Sequence, residues 1–272
     1  MFTIGLTIDY EPEIITYVSG LSIPISGFQK DLLNRFVRDL KLGLHITSLS
    51  SAFDTLYVFA GETIESSLRN LVKREHDVTT VNSPAFTAFE GFQGNGISMY
   101  LNSNYTMNTQ GIAYTLTKAS LGIYERISSG DSNTYLAGVY SIDASVDVNI
   151  VTLESEISVG NTKWNINGKD GEHANNTNGT IGMMIITRGD SGKYLYKNKV
   201  LRATEPNLNI GSNMPTKELT FLALNSDGTV NYPTLAQISF GFTGKDLSQE
   251  NINTITNIFE TYMDFRKKGI IT

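Results

Sequence analysis

The apolar positions of this chain change period part-way along, and the change separates a helical stretch from a strand-rich one. In the first stretch Phe28, Leu32, Phe36 and Leu40, with Leu33 and Val37 one step round, recur at helical spacing and predict a helix from Gly27 to Leu42. Ser26 and Gln29 have the spacing of a capping box, with Ser26 accepting from the Gln29 amide while Gln29 reaches back, and Gly43 stands where a C-cap belongs. Ahead of it, the alternation Thr3 to Ile8 and the β-branched run Ile14 to Val18 predict two short strands. Behind it, Phe53, Leu56 and Tyr57 suggest a second helix within 51–59, and Leu68 with Leu71 a third within 65–73. The polar, turn-rich segment His76 to Pro84 then closes this module.

From Phe86 onward turn signals recur about every ten residues, among them Gly94 to Gly96, Ser128 to Asn133, Asn167 to Gly171 and Ser226 to Gly228. Between them lie strand-like runs: Leu121 to Ile127, Thr134 to Ile142, Asp147 to Leu153, Thr220 to Leu224 and Gln237 to Phe242. The stretch Gly179 to Leu201 is the organising one. Ile181 to Thr187 is an apolar run too short for a helix. A polar turn follows, and then Tyr194 and Tyr196 alternate with Leu195 and Lys197. This predicts the central hairpin of an antiparallel sandwich, with Gly189 or Gly192 supplying the freedom of the first turn and Asn198-Lys199 forming a second. The chain then closes on a helix capped by Ser248, with Ile252, Ile255, Phe259, Tyr262 and Met263 on its buried face.

The predicted fold is therefore mainly β. A buried strand, a short polar turn and then Lys193 to Val200 resembles the concanavalin A-like or laminin G-like sandwich, although Lys199 occupies the turn position where that pattern has Gly. The expected architecture is a concanavalin A-like antiparallel β-sandwich (jelly roll), residues 86–272 including the closing C-terminal helix, preceded by a small helical N-terminal attachment module, residues 1–85. The order of parts is also similar to virion proteins of crAss-like and related tailed phages: Glu90 to Gly96 opens the sheet, Leu121 to Arg126 is a strand, Thr187-Arg188 precedes Lys193 to Tyr196, and Ile238 to Phe242 precedes the helix that begins with Leu247-Ser-Gln-Glu250. That resemblance implies a non-enzymatic structural component of a phage virion, a head or tail fibre or decoration protein. It would contact other virion proteins (capsid or tail) and host-surface glycans, commonly as a homo-oligomer.

Composition narrows the chemistry. There is no cysteine, which excludes disulfides, thiolate metal sites and cysteine nucleophiles. The net charge of -6 disfavours nucleic acid and anionic membranes as partners, and no apolar run reaches the length of a membrane span. Met1 to Asp9 lacks the basic start and apolar core of a signal peptide, so synthesis in a cytosol is expected; the resemblance to phage virion proteins implies that this is a host cytoplasm and that the chain resides in a virion.

Candidate chemistry is sparse, and no cofactor is expected. Gly189-Asp-Ser-Gly192 spells the nucleophile turn of chymotrypsin-like proteases, but neither His45, His76 nor His173 has that fold's flanking residues, and a plain hairpin turn accounts for it. The same turn explains the tripeptide Arg188-Gly-Asp190. Asn165 to Glu172 is rich in oxygen ligands, yet Lys169 breaks the calcium-loop spacing. The single tryptophan, Trp164, beside Asn165, Asn167 and Asp170, is the candidate glycan contact: an indole to stack a sugar, with amide and carboxylate groups for its hydroxyls. The alternative is a virion-associated glycoside hydrolase with Glu154 and Glu156, two apart on one strand face, as its carboxylate pair.

Overall fold

The computed structural model describes residues 9–130, 133–142, 148–158, 160–169, 173–206, 211 and 213–271. Its first elements are α1 (Pro12–Val18), α2 (Gly27–Gly43), β1 (Phe53–Val58), α3 (Ile64–Ser67), β2 (Thr79–Val81), β3 (Ala85–Thr87), β4 (Gly91–Gln93), β5 (Tyr100–Asn102) and α4 (Met107–Gln110). Longer strands follow: β6 (Ala119–Ile127), β7 (Tyr135–Ile142), β8 (Val148–Ser158), β9 (Asn161–Gly168), β10 (His173–Asn176), β11 (Gly182–Gly189), β12 (Gly192–Lys197) and β13 (Val200–Glu205). The chain ends with β14 (Thr220–Phe221), β15 (Leu224–Ser226), β16 (Thr229–Asn231), β17 (Gln237–Gly244) and α5 (Gln249–Asp264).

Among the described residues these strands make two sheets. Eight form the order β13-β12-β11-β6-β17-β4-β3 with β1 also on β17; nine form β10-β9-β8-β7-β14-β5-β2, with β15 on β7 and β16 on β15. Their pairing is antiparallel except where β15 runs parallel to β7. The eight-stranded sheet is covered on both sides, which is why its strands read as continuous apolar runs rather than alternating ones. In β11, Met183 and Ile185 pack beneath the helices, while Met184 and Ile186 enter the space between the sheets. The helices α2 and α5 seal the outer side through aromatic rings: Phe240 lies 5.8 Å from Phe36 and 4.4 Å from Phe259. Each such fully buried ring contributes on the order of 2–3 kcal/mol.

The expected helix from Gly27 to Leu42 is α2, and Ser26 Oγ caps it by accepting from Gln29 N at 3.2 Å. The reciprocal half of the predicted box is absent. Gln29 is buried and its Nε2 donates instead to the Tyr262 hydroxyl, tying α2 to α5. Phe28 is the one residue of the predicted stripe that escapes burial, at 53 % exposure, with the Arg266 guanidinium over its ring. The closing helix has the expected cap and buried face, but it ends at Asp264, so Arg266 to Lys268 lie beyond its last turn.

Other expectations are corrected. Ile14 to Val18 is part of helix α1, not a strand: Pro12 opens its first turn, and Ile14 and Tyr17, one turn apart, are both buried. Within 51–59 the chain forms strand β1 (Phe53–Val58), not a helix, because alternate side chains bury in different cores: Leu56 and Val58 under the helices, Tyr57 and, just past the strand, Phe59 between the sheets. Only one turn, α3, forms within the expected third helix; Thr63 and Ser66 cap it reciprocally. The boundary drawn at residue 85 falls inside the sandwich, since β1 pairs with β17 and β2 with β5. The Gly179 to Leu201 hairpin forms as β11 and β12, but it lies toward one edge of its sheet, whose middle is β6 and β17. Asn198 and Lys199 close the next hairpin with φ of 48° and 74°, so Lys199 holds the left-handed position usually given to Gly. The predicted strand Thr3 to Ile8 lies outside the described residues.

Candidate functional site

Strand β9 carries the sequence-predicted glycan contacts to one lateral edge of the nine-stranded sheet and turns them inward. Trp164, Asn165 and Asn167 are all fully buried. The Trp164 indole donates to Asn175 Oδ1 at 2.7 Å, and its ring centre lies 5.5 Å from that of His173 on β10. Asn165 Oδ1 accepts from Ile166 N at 2.7 Å and faces Lys193 Nζ at 3.4 Å. Asn167, left-handed at φ 49°, accepts from the Tyr114 hydroxyl at 2.7 Å and donates to Thr115 O and Leu116 O. Its carbonyl takes the buried Arg188 guanidinium. Lys193 Nζ donates to His173 Nε2 at 3.0 Å, and His173 Nδ1 stands 3.7 Å from Glu205 Oε1. These donors and acceptors serve one another across the gap between the sheets, as buried polar groups must. The indole is therefore a core anchor with no face for a sugar, which corrects the reading of Trp164, Asn165 and Asn167 as surface contacts. Asp170 lies outside the described residues.

Of the proposed carboxylate pair, only Glu154 has a described side chain. Glu154 is fully buried with Lys163 Nζ 3.8 Å from its Oε2, and the side chain of Glu156 is outside the description. Asp190 and Ser191 form the two-residue turn between the paired Gly189 and Gly192, and Ser191 is hydrogen-bonded to none of the three histidines. Among the described residues no group of three or more His, Asp or Glu could hold a metal ion.

The opposite edge of the same sheet is open. Where β2 and β5 meet the β15–β16 hairpin there is a cleft of about 340 Å³, at the small end of the roughly 300–1,000 Å³ typical of ligand pockets. Strand alternation builds it: Leu101 points into the core, so its neighbour Tyr100 and the cross-strand Val81 point the other way and line the cleft. Val230, Pro233 and the 79 % exposed Ile97 complete its apolar walls. Asn82 and Ser98 supply polar atoms. Asn82 Nδ2 donates to Ser98 O at 2.9 Å, and Asn95 Oδ1 gathers the amides of Ile97, Ser98 and Met99, fixing the loop that carries Ile97. Ser98 Oγ and the Tyr100 hydroxyl make no hydrogen bond to protein among the described residues.

The rim of this cleft concentrates left-handed backbone: Asn82 and Ser83 at φ 56° each, Asp227 at 51° and Tyr232 at 54°. Non-glycine residues in that region are held at a cost and gather at functional loops. A second cleft, about 260 Å³, lies beside α1, but its charged groups are already engaged: Glu13 with Lys41, Lys73 with Glu75, and Arg74 with Ser19 O and Asp77. The sequence signal for the open cleft was the pair of turn clusters around Asn82-Ser83 and Asp227-Gly228, which read only as loops.

No protein-family model matches the chain, and no curated protein sequence matches it. Solved structures match in fold. The receptor binding domain of botulinum neurotoxin C/D mosaic serotype is similar with a TM-score of 0.54 at 14 % identity, over 76 % of this chain and 51 % of that one. Trypanosoma rangeli sialidase gives 0.54 at 11 % identity, over 88 % and 40 %. The CBM40 of Ruminococcus gnavus IT-sialidase gives 0.45 at 15 % identity, over 60 % and 96 %. The chain thus spans about half, or less, of the first two. Together with the two sheets described above, those two place it among mainly β, two-sheet antiparallel sandwiches.

Proposed function

We propose that this chain is a non-enzymatic β-sandwich module that contacts carbohydrate through the open cleft at Tyr100. The observation that carries this reading is the cleft's mixture of an aromatic ring, apolar walls, two uncommitted hydroxyls and the amide oxygen of Asn82. A sugar ring has the complementary make-up: an apolar C–H face and a periphery of hydroxyls. The non-enzymatic part is supported by the lining of the two clefts, neither of which presents the two carboxylates that glycoside hydrolysis uses. The sialidase among the named neighbours accords with a carbohydrate ligand, but it bears on this chain only as fold analogy.

The finer setting is a tailed-phage virion, in which this module would be displayed beside capsid or tail proteins in several copies. The support for it is the sequence resemblance of the Glu90 to Gly96, Leu121 to Arg126 and Leu247 to Glu250 stretches. Display in several copies suits a small cleft, because tethering weak contacts raises avidity by roughly 10²–10⁴. The test is retention of the purified chain on immobilised glycans together with an assay for reducing ends released from the same glycans. Retention without release is expected; release would turn the reading to a hydrolase, and absence of retention would remove the carbohydrate. Co-sedimentation with a neighbouring capsid or tail protein tests the setting separately.

A further inference from the structure

Resting on that reading, we infer that the cleft selects an uncharged sugar, lying on Tyr100, and excludes glycans carrying carboxylate or sulfate. None of the side chains lining the cleft is charged at neutral pH. The two charges nearest in sequence already have partners: Asp227, beside Gly228, faces Lys217 Nζ with its Oδ1 at 3.8 Å, and Asp77, ahead of Val81, accepts from Asn70 N at 2.9 Å and Arg74 Nη2 at 3.2 Å. An anionic sugar seated there would shed water without gaining a cation, an uncompensated desolvation. The chain's net charge of -6 adds a longer-range repulsion.

A neutral pyranose meets better partners. Its C–H face packs on the Tyr100 ring, with Ile97 and Pro233 beside it. Its hydroxyls find Asn82 Oδ1, which is left to accept once Nδ2 is committed to Ser98 O, together with Ser98 Oγ and the Tyr100 hydroxyl. The loops bearing these groups are fixed before binding, by the Asn95 cap on one side and by the Asn82-Ser83 left-handed pair on the other. Little conformational freedom remains to be lost on association.

The experiment measures retention of the full chain on matched immobilised series: uncharged hexose- and N-acetylhexosamine-terminated glycans against their sialylated, uronic and sulfated counterparts. Wild type, Tyr100→Ala and Asn82→Gly are compared after each variant's folding is checked by circular dichroism. Glycine preserves the left-handed backbone at residue 82 while removing the amide. The expected result is binding confined to uncharged glycans and unchanged between about 50 and 500 mM salt. It should weaken by roughly tenfold in Tyr100→Ala and severalfold in Asn82→Gly. Binding confined to anionic glycans, weakened by salt, would overturn this inference while leaving the carbohydrate reading intact. Uncharged glycans held equally by all three proteins would overturn the cleft as their site. Binding to none would overturn both.

Discussion

The two lateral edges of the nine-stranded sheet are built from the same kinds of residue and behave oppositely. At the β9–β10 edge an indole, several amides, an amine and an imidazole bond to one another and are closed off. At the β2–β5 edge a tyrosine, an amide and a serine line an open cleft. The difference lies in what faces each edge. Strands β11 and β12 bring Arg188 and Lys193 against β9, and those long cations consume its carbonyl and amide acceptors. Among the described residues no such strand faces Tyr100, and β16 across the cleft is a three-residue strand with two exposed residues. An aromatic beside asparagines is thus a binding surface only where the opposing layer leaves it uncovered.

The comparison is most sharply tested at its anchors. Trp164→Ala removes a fully buried indole and its bond to Asn175, and should cost about 3–5 kcal/mol, a large part of a total stability of roughly 5–15 kcal/mol. Denaturant unfolding reads this directly; a loss under about 1 kcal/mol would mean that the edge is not closed.

Raising the pH probes the closed edge next. Burial is the main reason that the Tyr114 phenol, bonded to Asn167, is pushed far above its usual value. Such a group titrates more readily in the unfolded chain, so its contribution to stability is complete below about pH 10 and is lost as the pH rises beyond that. Buried Tyr17 and Tyr57 shift the same way for the same reason. Denaturation midpoints taken from pH 8 upward should fall above pH ~10, and the fall should be shallower in Tyr114→Phe.

At the open edge the effects on stability shrink. Asn82→Ala places a β-carbon in a left-handed position and should cost about 1 kcal/mol, whereas Asn82→Gly should be near neutral. Melting temperatures separated by a few degrees would show this. Smallest of all, Tyr100→Ala should change stability by less than about 1 kcal/mol while weakening glycan retention roughly tenfold. If Trp164→Ala and Tyr100→Ala unfolded the protein equally, the contrast between the edges would be lost.

The elements legible in the chain were those whose signal is local and one-sided. Helices α2 and α5 present a single apolar stripe at a period of 3.6, with Ser26 and Ser248 as caps, and no distant partner is needed to see them. The β11–β12 hairpin was legible because a β-branched run and a polar turn are also local. Strand β1 was not, because a strand buried on both faces has no alternation, and Phe53, Leu56 and Tyr57 then fit a helix equally well. The sidedness of polar groups was hidden for a different reason. Whether Asn167 faces water depends on Tyr114 and Arg188, which stand 53 and 21 residues away in sequence. The open cleft depends on residues as far apart as Val81 and Pro233 being brought together. The sequence alone therefore determined helices α2 and α5, the β11–β12 hairpin and the sandwich class; only the tertiary structure decided that α1 is a helix and β1 a strand, which aromatic went to the core and which was left to meet a ligand, because burial is a property of the layer that packs opposite a residue and not of the residue itself.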